Sequence, residues 1–275
     1  MNKAGVDKID CCIVCHSKNC VKYLFKEKDC VVCDKCDAVY GVNPPQHKEQ
    51  FDNQVGFSGG MIRKIGVSTI SRRFRDILSE QYIRYLKEKT EFNFCNVLDV
   101  GAHFGNLVNK FNEFGINAEG LEASKEFSNF SVTDKITYGY FDENFKSDKK
   151  YDLITFTQMM YYVKDPIMMV NHAKNFLTKS GLIFISTYNT NSSEFRKNKN
   201  FFEDSYNIVQ SKKNFETLNG FKLVDYTTYK SDMITNMVSN TDKTNILKNY
   251  LTFHFRKPFE EDIDGHQAYI LLKPI

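Results

Sequence analysis

From residue 95 onward the sequence alternates strand-like and helix-like segments, and this alternation constrains the fold more than any other feature. The segments with the length and composition of strands are NVLDVG, INAEGLEA, KITYGYF, YDLITF, LIFISTYN, FKLVDYTTYK and QAYILLKPI. Helical segments follow the first and the fourth of them: NLVNKFNEFG, and PIMMVNHAKNFLTKSG with Gly181 as its expected C-cap. Strands that alternate with helices predict an α/β fold, with a mostly parallel seven-stranded sheet covered on both faces.

The first predicted strand ends in a glycine turn, LDVGAHFG, which allows a ligand to approach the backbone closely. The spacing of Gly101 and Gly105 departs from the G-x-G-x-x-G pattern of dinucleotide sites. Asp99 precedes the turn, where its carboxylate would repel a pyrophosphate but could accept a bond from an ammonium group. Glu122 ends the second strand, 21 residues after Gly101, where an acidic side chain binds the ribose hydroxyls of adenine cofactors. These residues predict a site for S-adenosylmethionine, an adenosine that bears an amino acid and no phosphate.

Three segments in this order resemble class I S-adenosylmethionine-dependent methyltransferases. VLDVGAHFGN is similar to the first motif of that family, usually near V-L-D-x-G-x-G-x-G, and EGLEAS is similar to the second. The stretch from YDLITF to STYN resembles the family's fourth strand, loop, helix and fifth strand. The resemblance covers roughly residues 92 to 190 strongly and the C-terminal strands weakly. It implies a Rossmann-like methyltransferase sheet and methyl transfer from S-adenosylmethionine.

The resemblance also assigns the residues of the cofactor site. It implies that Asp99, Gly101 and Gly105 shape the methionine end of the pocket and that Glu122 holds the ribose. His103 stands where the family has its middle glycine; it either contacts the bound molecules or only tolerates the turn.

Two further cofactor contacts and the catalytic residues follow from the same resemblance. The adenine is expected near Phe141 at the end of the third strand, and Thr157 is expected beside the reactive methyl. Many relatives read H-V-L-E-H where this chain reads QMMYY, so Gln158 and Tyr162 occupy the two histidine positions and are the candidate catalytic residues.

A general base is a separate question, because methyl transfer depends largely on orientation and a desolvated pocket. A base is needed only where the acceptor must lose a proton before attack. Tyr162, His172 and His254 are the candidates, although each of these residue types is more often structural.

Seven of the eight cysteines lie in the first 36 residues. Cys12 with Cys15, and Cys33 with Cys36, form two C-x-x-C pairs separated by 17 residues. Two such pairs are typical of a closed, tetrahedral and therefore structural zinc site, whose metal supplies folding energy to a small segment. Incidental thiols or a redox pair are the alternatives, and Cys11 could replace its neighbour as a ligand.

The cysteine segment CIVCHSKN…VVCDKCDAVYGVNP resembles the zinc ribbon C-P-x-C-G-S…C-x-x-C-G-x-x-Y-x-N-P, which is fused to methyltransferases of bacterial sugar and surface-glycan pathways. This implies a small-molecule acceptor, namely a nucleotide-linked sugar or another anionic precursor of a surface polysaccharide. The expected organisation is a zinc-ribbon module at 1–46, a linker with N-terminal helices at 47–91, and the methyltransferase domain at 92–275.

Charge and hydropathy restrict the partners. Residues 61–90 carry eight Lys or Arg against three acids, which indicates either an anion-holding surface, with Arg72, Arg73 and Arg75, or a solvated helix face. Residues 1–50 hold eight Lys against seven acids, which argues against a ribbon that grips nucleic acid. With no secretory signal and no long apolar run, we expect a cytoplasmic protein without a membrane span.

Two other functions stay open at this stage. One is an RNA or protein methyltransferase whose zinc ribbon holds the macromolecule. The other is an inactive zinc-containing binding module, which the absent histidines would permit. The acceptor, the methylated atom and the oligomeric state are not determined by the sequence.

Overall fold

The computed structural model of the 275-residue chain describes residues 11–18, 20–25, 28–41, 69–163, 165–189, 191–193, 208–209, 211–230 and 260–275. Residues 47–68 of the predicted linker and the candidate base His254 lie outside these ranges. Within them, no helix is long and apolar enough to cross a membrane.

The cysteine-rich segment folds as a small antiparallel sheet. Its strands are β1 (Cys20–Phe25), β2 (Lys28–Cys33) and β3 (Val39–Gly41), in that order. Strands β1 and β2 form the hairpin that joins the two C-x-x-C pairs, in the register Cys20 opposite Cys33. The hairpin thus brings the two pairs to the same end of the module.

The large sheet begins after the first helix, α1 (Thr69–Lys89). Its strands and the intervening elements are β4 (Asn96–Val100), β5 (Asn117–Glu122), β6 (Ile136–Tyr138), β7 (Tyr151–Thr157), β8 (Leu177–Tyr188), β10 (Phe221–Lys230), β11 (Glu260–Glu261) and β12 (Gln267–Pro274), with α2 (Asn106–Glu113), α3 (Lys125–Asn129), α4 (Pro166–Ala173) and α5 (Lys212–Glu216) between them. One further short strand, β9 (Ile208–Val209), pairs with β3 in the small sheet.

The strand order in the large sheet is β11-β10-β12-β8-β7-β4-β5-β6. Strands β6, β5, β4, β7 and β8 pair in parallel, whereas β12 lies antiparallel between β8 and β10. The two-residue β11 extends the edge beyond β10. The predicted mostly parallel, seven-stranded, Rossmann-like sheet is therefore confirmed, with β11 as an edge addition.

One predicted boundary is wrong. The helix expected to run to a Gly181 C-cap ends at Ala173, and Gly181 lies within β8. The apolar pattern continues through a 3-10 turn at residues 174–176, so periodicity alone gave no stop signal. A Cβ at Gly181 would lie 3.0 Å from the Tyr151 carbonyl oxygen, so close approach to β7 accounts for the glycine.

Helix α1 covers one face of the sheet with an aromatic stripe. Tyr82 and Tyr85 pack against Phe184 and Tyr269, with ring centroids 5.2 to 5.8 Å apart. The Tyr85 hydroxyl donates to an Asp225 carboxylate oxygen at 2.8 Å, which gives the buried phenol a partner. Large aromatic faces and satisfied hydroxyls fix this helix above the C-terminal half of the sheet.

Gly120 provides a test of the packing on the same face of the sheet, because its neighbours Ala102 and Val108 belong to the cluster that contains Tyr82 and Tyr85. A Cβ there would meet the Ile136 and Ala102 side chains at 2.5 and 2.6 Å. We expect Gly120→Ala to lower the free energy of unfolding by about 1–3 kcal/mol, because this interior cannot accept another methyl group. Urea unfolding measures the change, and Asn117→Ala at the exposed start of the same strand is the control. Equal stability of the two variants would contradict the packing described.

Candidate active site

The first functional carboxylate lies beneath the carboxyl edge of the parallel strands. Asp99 of β4 is 1% exposed, and the Thr155 hydroxyl of β7 donates to its Oδ1 at 2.5 Å. Burial raises the pKa of Asp99 to about 7. The Thr155 hydrogen bond lowers this pKa, and the negative charge of Glu122 raises it. Asp99 is therefore poised to exchange its proton for a bound cation near neutral pH.

The glycine turn after β4 needs both of its glycines. Gly101 and Gly105 have φ values of 75° and 77°, in the left-handed region. A Cβ at Gly101 would lie 3.1 Å from the Met159 side chain, and one at Gly105 would lie 2.9 Å from Ile136. The turn can therefore pack closely against the sheet, and the space above the turn is available to a ligand.

Glu122, at the end of β5, links this turn to the next helix. Its Oε2 accepts the His103 backbone N–H and its Oε1 accepts the Ser124 backbone N–H, both at 2.7 Å. Ser124 in turn caps α3 by accepting from the Phe127 N–H. Each carboxylate oxygen keeps a second lone pair that can accept a hydroxyl.

His103, at the position of the middle glycine in the resembling motif, has a left-handed conformation, with a φ of 53°. Its ring stacks on Phe127, with centroids 3.9 Å apart, and meets Phe104 edge-on at 4.1 Å. Its Nδ1 is buried without a hydrogen-bond partner among the described residues. Burial lowers the pKa of His103 well below its ordinary value, and the positive charge of Arg75 lowers it further, so the imidazole is neutral.

Gln158 follows β7 in a left-handed conformation, with a φ of 54°. Its Nε2 donates to Ser186 Oγ at 2.7 Å and to Gln267 Oε1 at 2.6 Å. Its Oε1 accepts the Tyr161 hydroxyl at 3.1 Å. Side-chain bonds to three strands or turns fix this amide, so the described contacts give it a positioning role, and its catalytic role stays a prediction.

The turn at residues 160–162 presents tyrosines next to this amide. Tyr161 is buried and Tyr162 half-buried, and their rings lie 4.4 Å apart. Tyr161 also packs on Tyr188 at the end of β8, at 5.0 Å. Thr157, the last residue of β7, is half-buried beside them. The sequence indicated Tyr162 as a candidate residue and missed Tyr161. The hydrogen bond from the Tyr161 hydroxyl to Gln158 is what marks Tyr161 as part of the site.

The remaining predicted residues lie in apolar surroundings. Phe141 is buried, and its ring meets Phe145, Phe156 and Phe176 at 4.8 to 5.9 Å. His172 belongs to the same cluster, 5.4 Å from Phe141. The adenine contact of Phe141 and the base role of His172 stay predictions.

Helix α1 brings a cation over the glycine turn. The Arg75 guanidinium lies over the Phe104 ring, 5.6 Å from its centroid. Burial lowers the pKa of Arg75, and Tyr82, Tyr161, Tyr162 and Glu122 are the groups that act on its charge. Of the three predicted anion-holding arginines, it is the one whose side chain the structure describes.

The four predicted cysteine ligands come together. Cys12, Cys15, Cys33 and Cys36 have all four Sγ atoms within 4.8 Å of one another, and the pairs Cys12–Cys36 and Cys15–Cys33 are each 3.6 Å apart. Both C-x-x-C pairs form the same turn. In each, the residue after the second cysteine donates its backbone N–H to the carbonyl oxygen of the first cysteine at 2.9 Å. These following residues, His16 and Asp37, have φ values of 56° and 59°, where the resembling ribbon has glycine.

The cysteine cluster is joined to the large domain through α5. The Asn214 amide and the Ser211 hydroxyl both donate to the Cys36 carbonyl oxygen, the latter at 3.4 Å. An exposed ion pair joins Lys213 and Asp37 at 3.4 Å. Strand β9 pairs with β3 and contacts the turn at residues 160–162. The small sheet therefore lies beside the tyrosine turn of the candidate site through β9.

The raised pKa of Asp99 predicts a pH-dependent stability. The carboxyl binds its proton more tightly in the folded chain, at a pKa of about 7, than at its ordinary value of 3.8. The stability gained from this proton is present below pH 4 and is lost as the pH rises to about 7. We expect Asp99→Asn to remove a decline on the order of 2–4 kcal/mol across this range. Burial also raises the pKa of Glu122, so the contribution of Glu122 to the decline in stability would remain in this variant.

Unfolding by urea at a series of pH values measures this decline in the ligand-free protein. Asp148→Asn, at an exposed position, is the matched control and should keep the wild-type profile. An Asp99→Asn profile that follows the wild-type one would show that Asp99 is ionised in the folded chain throughout this range.

Comparisons with known proteins identify the domain. A family described as a methyltransferase domain matches residues 70–228, more than half of the chain. A comparison with curated proteins finds no match.

Several solved structures share the fold. The plantazolicin methyltransferase BamL, in complex with a triazolic desmethylPZN analog and S-adenosylhomocysteine, is 16% identical with a TM-score of 0.52, over 83% of this chain and 96% of that chain. A possible histamine N-methyltransferase from Thermotoga maritima is 15% identical with a TM-score of 0.56, over 83% and 99%. A methyltransferase from Archaeoglobus fulgidus is 17% identical with a TM-score of 0.52, over 74% and 94%. The chain belongs to the methyltransferase-domain family, and is a class I, S-adenosylmethionine-dependent methyltransferase.

Proposed function

We propose that this methyltransferase acts on a small-molecule acceptor, a nucleotide-linked sugar or another anionic precursor in surface-polysaccharide biosynthesis. The observation that carries the proposal is the four-cysteine module beside the tyrosine turn, since this module is the part that resembles ribbons of sugar-pathway enzymes. Among the structural neighbours, BamL is bound to a plantazolicin analog, and the Thermotoga maritima protein is a possible histamine N-methyltransferase. These acceptors belong to those proteins.

The cofactor-binding site is formed by the carboxylates of Asp99 and Glu122 and by the glycine turn. Asp99 accepts the ammonium of the methionine end, and the free lone pairs of Glu122 accept the ribose hydroxyls. Gly101 and Gly105 keep the backbone low beneath the ligand, and His103 adds an aromatic wall stacked on Phe127. S-adenosylmethionine supplies a sulfonium methyl group, which is transferred by in-line displacement.

The acceptor side is built from aromatic rings and fixed hydrogen-bonding groups. Tyr161, Tyr162 and Tyr188 form a wall of phenols next to Gln158. Such a wall suits the apolar face of a sugar ring and hydroxyls along its edge. Because the Gln158 amide is held by Ser186 and Gln267, the wall is preorganised, and orientation is the main contribution these side chains make to the rate.

The four thiolates bind one structural zinc ion. Four sulfurs about 2.3 Å from a tetrahedral zinc lie about 3.8 Å apart, close to the 3.6 Å of the two shortest pairs. All four positions are thiolates, so no ligand position is left for a substrate or water, and the metal holds the fold. Through α5 and β9 it fixes the module as a lid on the acceptor side.

Zinc content tests this assignment. We expect the purified chain to hold a single zinc ion, and Cys33→Ser to lose it with a lower melting temperature, because the metal supplies most of the module's folding energy. Elemental analysis and thermal unfolding measure both effects. Cys95→Ser, at an exposed cysteine outside the cluster, is the control and should keep its zinc. Full zinc retention by Cys33→Ser would exclude Cys33 as a ligand.

Transfer of labelled methyl groups tests the acceptor class. The purified protein is incubated with methyl-labelled S-adenosylmethionine and an extract of its own cells, and metabolites, RNA and protein are then separated. We expect the label in the metabolite pool, reduced when nucleotide sugars are depleted, since the acceptor wall fits a small ring.

Binding of S-adenosylhomocysteine is measured alongside, so that an absence of label can be interpreted. Label in RNA or protein would instead indicate that the acceptor is a macromolecule and that the module binds it. Ligand binding without any label would favour a binding module, and would reject the proposed reaction.

A further inference from the structure

Gln267, the first residue of β12, is a buried amide with one unused donor. Its side chain is 1% exposed, and its Oε1 accepts a hydrogen bond from the Gln158 amide at 2.6 Å. Its Nε2 is buried and has no hydrogen-bond partner among the described residues. An amide N–H that is buried away from water without a partner is unfavourable, and a ligand oxygen that accepts from it removes this penalty.

Gln267 lies at the carboxyl edge of the parallel strands. It pairs with Tyr188, the last residue of β8, in the antiparallel register of β8 and β12. Gln158 follows the end of β7 beside it and is half-buried. In open α/β sheets, ligands bind outside the carboxyl ends of the parallel strands. A molecule that contacts Gln158 at this edge therefore comes next to the unused donor of Gln267.

The hydrogen bonds of Gln158 fix the orientation of both amides. The Gln158 Nε2 donates to Gln267 Oε1 and to Ser186 Oγ, and the Ser186 hydroxyl donates onward to the Tyr82 hydroxyl at 3.2 Å. The Gln158 Oε1 accepts the Tyr161 hydroxyl. Because the Oε1 of Gln267 is engaged by Gln158, this amide offers its Nε2, a donor, to a further partner.

A donor fixed in this way selects an oxygen atom on the bound molecule. Hydroxyl, carbonyl, carboxylate and phosphate oxygens accept a hydrogen bond from an amide, whereas an ammonium group has only donors. We propose that Gln267 is a residue that binds the methyl acceptor, and that its Nε2 donates a hydrogen bond to an oxygen atom of that molecule. This contact rests on the proposed function and adds to it the class of methyl acceptor, one that carries an oxygen next to the tyrosine wall.

A second buried donor on β12 provides the matched control. The Tyr269 hydroxyl, two residues further along the strand and therefore on the same face, is also buried without a partner among the residues that the structure describes. Its ring packs against Tyr82 and Tyr85 of α1, with centroids 5.2 and 5.4 Å apart. Tyr269 thus belongs to the packing under the helix, whereas Gln267 is bonded to a half-buried side chain at the strand ends.

Labelling of the metabolite fraction of a cell extract tests the assignment. The fraction, freed of RNA and protein, is titrated into the purified protein with methyl-labelled S-adenosylmethionine. Gln267→Glu keeps an oxygen for the Gln158 amide but loses the donor when it is ionised. We expect this variant to need about 10- to 100-fold more of the fraction for half-maximal labelling, the effect of losing a hydrogen bond to a charged oxygen. A loss of about 3- to 10-fold would support the same contact with a neutral oxygen.

Two other readouts separate this contact from a structural effect. The maximal rate of labelling by Gln267→Glu and its affinity for S-adenosylhomocysteine should match the wild type, because the bond to Gln158 is kept and only binding of the methyl acceptor is weakened. The deficit should shrink as the pH is lowered, since a protonated carboxyl donates a hydrogen bond again. Isothermal titration calorimetry measures the affinity.

Two further variants complete the comparison. Gln267→Met removes the donor together with the bond to Gln158, so it should raise the half-maximal amount and also lower the maximal rate. This variant decides the question if Gln267→Glu does not fold, as judged by thermal unfolding. Tyr269→Phe should match the wild type in labelling and in S-adenosylhomocysteine binding.

An unchanged half-maximal amount in both Gln267 variants would overturn the contact with the methyl acceptor. A lower maximal rate of Gln267→Met on its own would leave Gln267 as a support for Gln158, and would also overturn it. If the wild-type protein labels RNA or protein instead, the same titration is made with that fraction, and the small-molecule proposal fails while the contact is still decided by the Gln267 variants. A wild-type protein that labels no fraction would reject both.

Discussion

The active site depends on one carboxylate that organises three elements at once. Glu122 ends β5, accepts the His103 N–H from the glycine turn, and accepts the Ser124 N–H at the start of α3. A buried carboxylate is stable only where such donors replace its water, so the turn and the helix must adopt this arrangement together. The carboxylate oxygens proposed to bind the ribose and the backbone of the glycine turn are therefore positioned by the same hydrogen bonds. Changing this side chain would disturb the backbone of the site as well as a ligand contact.

A second constraint joins the N-terminal module to the chemistry. The Cys36 carbonyl oxygen accepts from Ser211 and Asn214, residues that also close the capping box of α5. The module's buried residues are continuous with the core around Met160 and Phe215. The cysteine turns are thereby coupled to the tyrosine turn through packing and pairing, and the zinc ion proposed for the cluster would act on that turn only through these contacts.

The sequence predicted much of the fold, and its assignment of the site residues stays a prediction. The strand order along the chain, the glycine turn and the two acidic residues were readable because each signal is local. The end of α4 was not, because the apolar pattern of residues 174–180 fits a helix and a strand equally well. Gln158 was located correctly after β7, but its partners Ser186 and Gln267 carried no signal, since their meeting depends on β8 and β12 pairing.

By itself the sequence determined the parallel α/β sheet, the acidic residues at its strand ends and the two cysteine pairs. These features depend on residue type and short spacing, which fix local backbone conformation and metal-ligand geometry. Only the tertiary structure decided that Arg75 lies above the glycine turn, that the Tyr161 hydroxyl bonds to Gln158, and that the cysteine module adjoins the tyrosine turn through β9. These contacts join residues far apart in the chain, and packing of α1, β9 and β12 against the sheet is what brings them together.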